Sequence, residues 1–133
     1  RPGIIWEVKC EDDPAAVDAV VTAVTQRLTD ISDHRCILSS FSRDVLSALK
    51  PQLPSIPMAL IAEALPEDGV LFCQERGLEG MHLEGHQVSH ESSRIVLDAG
   101  LALRCYTVND MREAQRLAAL GVSMIMTDFP ERF

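Results

Sequence analysis

Short apolar runs alternate with longer amphipathic stretches along the chain. The runs are residues 4–9, 35–41, 57–62, 78–83, 101–108 and 122–127. Each has the length and the aliphatic content of a buried strand. Between the first two, Val17, Val20, Val21, Val24 and Leu28 recur at helical spacing. They follow Asp13-Pro14, an N-cap and a first-turn proline, so the pattern predicts a helix over 14–29. Ser42 caps a short helix through about Leu49, ended by Pro51. Leu65 to Arg76 reads as a helix weakened by Gly69 and closed by Gly77. Ser89 to Ala99 forms another, with Ile95 and Val96 inward and Gly100 after it. Asp110 caps the last helix, whose apolar side carries Met111, Ala114, Leu117, Ala118 and Leu120 before Gly121.

Six strands and five intervening helices in strict alternation imply an α/β fold with parallel strands and right-handed crossovers. The chain has 133 residues, which suits a single domain over 1–133 with a real core. No glycine-rich phosphate loop follows the first strand, which argues against a dinucleotide or P-loop fold.

Composition narrows the partners. The formal charge is −8 with no lysine or arginine run, so nucleic acid and anionic membrane surfaces repel the chain. Cys10, Cys36, Cys73 and Cys105 show no CxxC spacing and read as reduced thiols of a cytoplasmic protein. No signal peptide or membrane-spanning apolar run is present, so an integral membrane protein is not expected. The chain opens Arg1-Pro2 without methionine, which fits a piece processed or cut from something longer.

Chemistry in parallel α/β folds gathers at the carboxyl ends of the strands. Those ends carry Glu7 and Lys9, Ser39 and Ser40, Glu63, His82 and Glu84, Tyr106, Thr107 and Asn109, and Thr127 and Asp128. Glu7 and Lys9 stand two apart, so a strand continuing through both points them to one face. A carboxylate and an ammonium there are an ordinary salt-bridged strand end, or a binding pair. Taken singly, the others read blandly. His82 is a core or rim histidine before it is a ligand, and His34 is a turn residue. His86 and His90 are solvated, and 82–90 fits no zinc spacing. Asn109-Asp110 is a helix cap and Asp128 a turn former. No serine lies in a GxSxG elbow.

The ordered set of motifs resembles the glycerophosphodiester phosphodiesterase family. GIIWEVK is similar to its strand ending Glu-hydrophobic-Lys, and ILSSF to its serine-phenylalanine strand. GLALRCYTVND resembles its aromatic-Thr-Val-Asn segment, and GVSMIMTDFP its closing strand. The resemblance implies a (β/α)8 TIM-type barrel that hydrolyses glycerophosphodiesters to glycerol 3-phosphate and an alcohol, in phospholipid breakdown. It also implies a divalent cation, Mg2+ or Ca2+, and a histidine acid–base pair. On it, Glu7 matches the metal-binding glutamate of the third barrel strand and Lys9 the lysine facing the phosphate. Tyr106 takes the substrate-wall position that is generally tryptophan. Asp128 matches the terminal motif and is assigned a structural role. Ser123 replaces the usual aspartate.

The family's first two strands carry a His-Arg-Gly motif, a Glu-x-Asp metal pair and a His-Asp motif, and none of these is present. His34-Arg35 falls after the Glu-x-Lys strand and precedes cysteine, so it is not assigned. The expectation is an incomplete barrel lacking the first two βα units, with no catalytic residue of its own and inactive alone. Its open edges would pair with the missing N-terminal segment or with another copy. The alternative is a non-catalytic phosphate-ligand-binding or assembly module derived from that fold.

Overall fold

A computed structural model describes residues 3–29 and 35–133; His34 lies outside the described residues. Six strands form one sheet: β1 (Ile4–Glu7), β2 (Cys36–Ser40), β3 (Met58–Ala62), β4 (Gly80–Glu84), β5 (Ala102–Tyr106) and β6 (Met124–Ile125). All are parallel, and each pairs with the next in chain order. The connections are α1 (Pro14–Leu28), α2 (Arg43–Gln52), α3 (Gly69–Arg76), α4 (His90–Asp98) and α5 (Met111–Ala119).

Alternation along the strands sorts residues onto two faces. Leu38, Met58, Leu60, Met81, Leu83, Leu103 and Cys105 face the helices. They share one core with Val17 and Val21 of α1, Val45, Leu46 and Leu49 of α2, Cys73, Val96 and Leu117. All five helices therefore cover the same side. Right-handed crossovers that always step the same way wind the sheet in one direction, as in a barrel wall. The expected incomplete barrel is what forms. Its other face carries Glu7, Ser39, Ile61, His82 and Tyr106 into a concave space.

Three caps fall where the sequence puts them, and Ser89, expected as the first helical residue, is a fourth. Asp13 accepts from the Ala16 N–H, Ser42 from Val45, Ser89 from Ser92 and Asp110 from Arg112. At Gly80 a Cβ would sit 2.7 Å from the Ala102 carbonyl oxygen, so only glycine lets β4 and β5 approach at that row.

Several boundaries move. α2 continues through Pro51, because a proline in the last turn removes one donor while Leu53 N–H still reaches the Leu49 carbonyl at 2.9 Å. α3 starts at Gly69 instead of Leu65; Gly69 N–H closes a turn on the Pro66 carbonyl at 3.0 Å. Asp68 precedes α3 but does not cap it, since its carboxylate forms a fork with Arg43 at 2.8 and 2.9 Å. β6 keeps two residues of an expected six, and β1 ends at Glu7. Both are edge strands with a neighbour on one side only. Ile4 and Trp6 on β1 are 60% and 44% exposed, and Met124 on β6 is 43% exposed.

Candidate functional site

The exits of β1 and β2 are tied by short hydrogen bonds. Val8 N–H donates to the Ser39 carbonyl at 2.7 Å. The Ser40 hydroxyl donates to the Val8 carbonyl at 2.6 Å and accepts the Ser42 N–H at 3.0 Å. This lock fixes the backbone on which Glu7 and Lys9 sit. Because β1 ends at Glu7, the two side chains do not share one strand face throughout. Glu7 lines the concave face, and Lys9 does not. They meet at a rim cleft of about 280 Å3 that Cys10, Ser40, Phe41 and Ser42 complete. Both are exposed, and no ion pair joins them among the described residues.

The concave cavity measures about 460 Å3 and is lined by Ile5, Glu7, Ser39, Ile61, His82 and Tyr106 among others. Tyr106 forms one wall. Its hydroxyl donates to the Ala62 carbonyl at 3.0 Å, and its ring meets Phe41 edge-on at 6.3 Å. The hydroxyl is thus engaged by the β3 exit, and the ring is what the cavity sees. Burial raises the Tyr106 pKa first, and the carboxylates of Glu63, Glu84 and Glu7 raise it further. Three carboxylates thus lie near enough to the phenol to act on it.

Deeper in the sheet lies a polar cluster that sequence reasoning missed. Arg104 is only 6% exposed. Its guanidinium forms a fork with Glu79, one arm at 2.9 Å, and its Nη1 lies 3.3 Å from His82 Nε2. His82 is 1% exposed. Burial, then the Arg104 charge, pushes its pKa down to about 4 against the opposing pull of Glu79. The signal was a lone arginine inside an apolar strand, which requires a buried partner.

The remaining exits are structural. Asn109 does not cap α5, a role left to Asp110. Its Oδ1 accepts from the Thr127 hydroxyl and the Asp128 N–H, both at 3.0 Å, and its Nδ2 donates to Asp128 at 3.1 Å. That network holds the β6 exit and gives Asp128 its structural role. Ser123 donates to the Leu103 carbonyl at 3.2 Å. His86 and His90 are exposed. No disulfide joins the four cysteines; Cys10 is half-buried and the other three are buried.

Ca2+ takes six to eight oxygen ligands, whereas Mg2+ is usually held through one or two carboxylates with waters and substrate oxygens making up the rest. Among the described residues no three His, Cys, Asp or Glu side chains converge on one point. Glu7 faces the cavity as one carboxylate donor, and a cation held there would need further ligands to complete its shell. No helix among the described residues is long and apolar enough to cross a membrane.

Comparison with known proteins places this geometry. The sequence profile of the Glycerophosphoryl diester phosphodiesterase family matches residues 3–132. A Glycerophosphodiester phosphodiesterase of Bacillus subtilis is 25% identical over 96% of this chain and 46% of its own length. An Oleispira antarctica phosphodiesterase, solved in complex with the product sn-glycerol-3-phosphate, superposes with a TM-score of 0.89 at 20% identity. That match covers 98% of this chain and 53% of that one. A putative glycerophosphoryl diester phosphodiesterase from Silicibacter pomeroyi superposes at 0.84 with 24% identity, covering 98% and 48%. The chain thus spans about half the length of the relatives it matches.

Proposed function

The chain belongs to the glycerophosphoryl diester phosphodiesterase family, and on that premise we propose that it is part of a metal-dependent glycerophosphodiester hydrolase. The reaction is hydrolysis of a glycerophosphodiester to glycerol 3-phosphate and an alcohol, in cytoplasmic phospholipid breakdown. The observation that carries the reading is Glu7, a carboxylate at a strand exit facing the same cavity as the Tyr106 ring.

The roles follow from chemistry. Glu7 would be one ligand of Mg2+ or Ca2+, a cation that would supply charge withdrawal from the phosphoryl oxygens. Water and substrate oxygens, with any carboxylates from further barrel strands, would complete its shell. Lys9, in the rim cleft with Glu7, balances a phosphate oxygen. Tyr106 presents its ring to the substrate, as its hydroxyl is already engaged.

No acid–base histidine pair is assigned in this chain. His82 is buried and held neutral near pH 7, and His86 and His90 are exposed. The chain is therefore inactive, or nearly so, until further barrel strands supply the pair. The open edges at β1 and β6 are where such strands, or another copy, would add. A second reading, a phosphate-ligand or assembly module without turnover, is favoured by that same lack of an assigned pair.

The test is release of sn-glycerol 3-phosphate from glycerophosphocholine with Mg2+, with Ca2+ and with chelator. The chain is assayed alone, with a separately supplied N-terminal half of a relative, and as Glu7→Ala. Turnover only in the complemented mixture, abolished by chelator and by Glu7→Ala, is expected. Metal-independent turnover would overturn the reading. A complemented barrel that folds but never turns over would favour the module.

A further inference from the structure

Arginine has no hydrogen-bond acceptor, so across the 3.3 Å contact Arg104 Nη1 donates and His82 Nε2 accepts. Neutral imidazole carries one proton, which the contact therefore places on Nδ1. No described group accepts from Nδ1: the ring's recorded contact is the one at Nε2. Yet among the described residues no side-chain nitrogen is both buried and unpartnered. Nδ1 therefore opens onto the concave cavity that His82 lines. A side chain 99% removed from solvent aims one unpartnered donor into the space that Glu7 and Tyr106 frame.

We propose that His82 is a ligand-binding residue whose Nδ1–H, oriented by Arg104, donates to a glyceryl oxygen of a bound glycerol phosphate. The proposal rests on the phosphodiesterase reading for the identity of the ligand. The choice of a glyceryl oxygen follows from charge and depth. His82 lies two residues inside the β4 exit, and Glu79 matches the Arg104 charge. The donor at that depth is neutral, which suits an alcohol oxygen. The phosphate is better placed at the rim, where Lys9 is exposed. Arg104 is a positioning residue: it touches the ring and sets its tautomer. Burial and the Arg104 charge keep the ring neutral, so the donor persists across the neutral pH range.

The test uses the 133-residue chain labelled with 15N at histidine. Long-range 15N–1H spectra read the tautomer without any ligand. A protonated Nδ1 and a bare Nε2 at His82 are expected, and the reverse assignment overturns the proposal. Titration with sn-glycerol 3-phosphate, inorganic phosphate and glycerol then locates the contact. Glycerol 3-phosphate should move the Nδ1 signal and inorganic phosphate should not. Equal shifts with phosphate would overturn the glyceryl assignment.

His82→Phe should weaken glycerol 3-phosphate binding about tenfold, as expected for one lost hydrogen bond. His82→Gln keeps an acceptor for Arg104 and a donor for the cavity, and should recover most of that loss. Arg104→Met should leave a mixture of tautomers and an intermediate affinity. Undiminished binding by a folded His82→Phe overturns this inference and leaves the phosphodiesterase reading intact. Failure of the wild-type chain to bind glycerol 3-phosphate overturns the inference, whereas hydrolysis by the complemented barrel still decides the wider reading separately.

Discussion

Two pairs of opposite charge lie on this sheet, and they live under different rules. Glu7 and Lys9 stand at the open edge, exposed and without a mutual ion pair among the described residues. Glu79 and Arg104 stand in the middle, forked together against a buried histidine. At the edge, water solvates both groups, so the pair contributes little to stability and stays available for a ligand. In the centre, desolvation makes the partner obligatory, and the geometry is fixed at the cost of availability. The same residue types thus stay unengaged at a candidate site in one place and form a strut that holds a buried ring in the other.

The largest effect that would break this contrast is expected at Glu79. Glu79→Ala leaves Arg104 buried and uncompensated, and should cost about 3–5 kcal/mol in urea unfolding. Arg104→Met should cost less, because the Glu79 side chain is 38% exposed and can turn to water. An Arg104→Met loss equal to or larger than that of Glu79→Ala would show that packing, not charge burial, governs the strut.

Acid should come next. In the folded chain the His82 pKa is pushed down to about 4 from the ordinary 6.5 of histidine, so between those limits the unfolded chain binds the extra proton. Stability therefore falls as pH drops from 6.5 through 4, by about 3 kcal/mol, and this component is flat below. His82→Gln should lack that component, which urea midpoints measured against pH will reveal.

Smaller still is Asp110→Ala, which removes the α5 cap and should lower stability by about 1 kcal/mol on thermal unfolding. At the edge, Glu7→Gln should change stability by less than about 0.5 kcal/mol. It should nonetheless abolish metal-dependent turnover in a complemented barrel. A large stability loss there would mean that Glu7 is a strut as well, and the comparison would fail.

Most of the architecture was legible because it rests on local pattern. Helix caps at Asp13, Ser42 and Asp110 and the apolar strand runs announce themselves within a few residues. Strand lengths at the edges were not legible. Val122 to Thr127 looks like a six-residue strand, but pairing on one side sustains only Met124–Ile125. The start of α3 was not legible either: Leu65 looks like its first residue, but Gly69 N–H closes a turn on the Pro66 carbonyl and the helix begins only there. The candidate site divides in the same way. Glu7 and Tyr106 could be singled out as candidates because each sits in a contiguous motif, and both line the concave cavity. The His82–Arg104–Glu79 cluster joins two strands through side chains, and no short stretch of sequence contains it. Lys9 was expected on the face of Glu7, but the strand ends between them and the two share only the rim cleft.

The strand order also bears on how the chain assembles. Every strand pairs with its successor in sequence, so each contact between neighbours closes only one short crossover. Loop-closure entropy is small at each step, and no strand must wait for a distant one. The arc can thus grow unit by unit from any start, including during synthesis, whereas closing a full barrel would demand one long-range encounter between first and last strands.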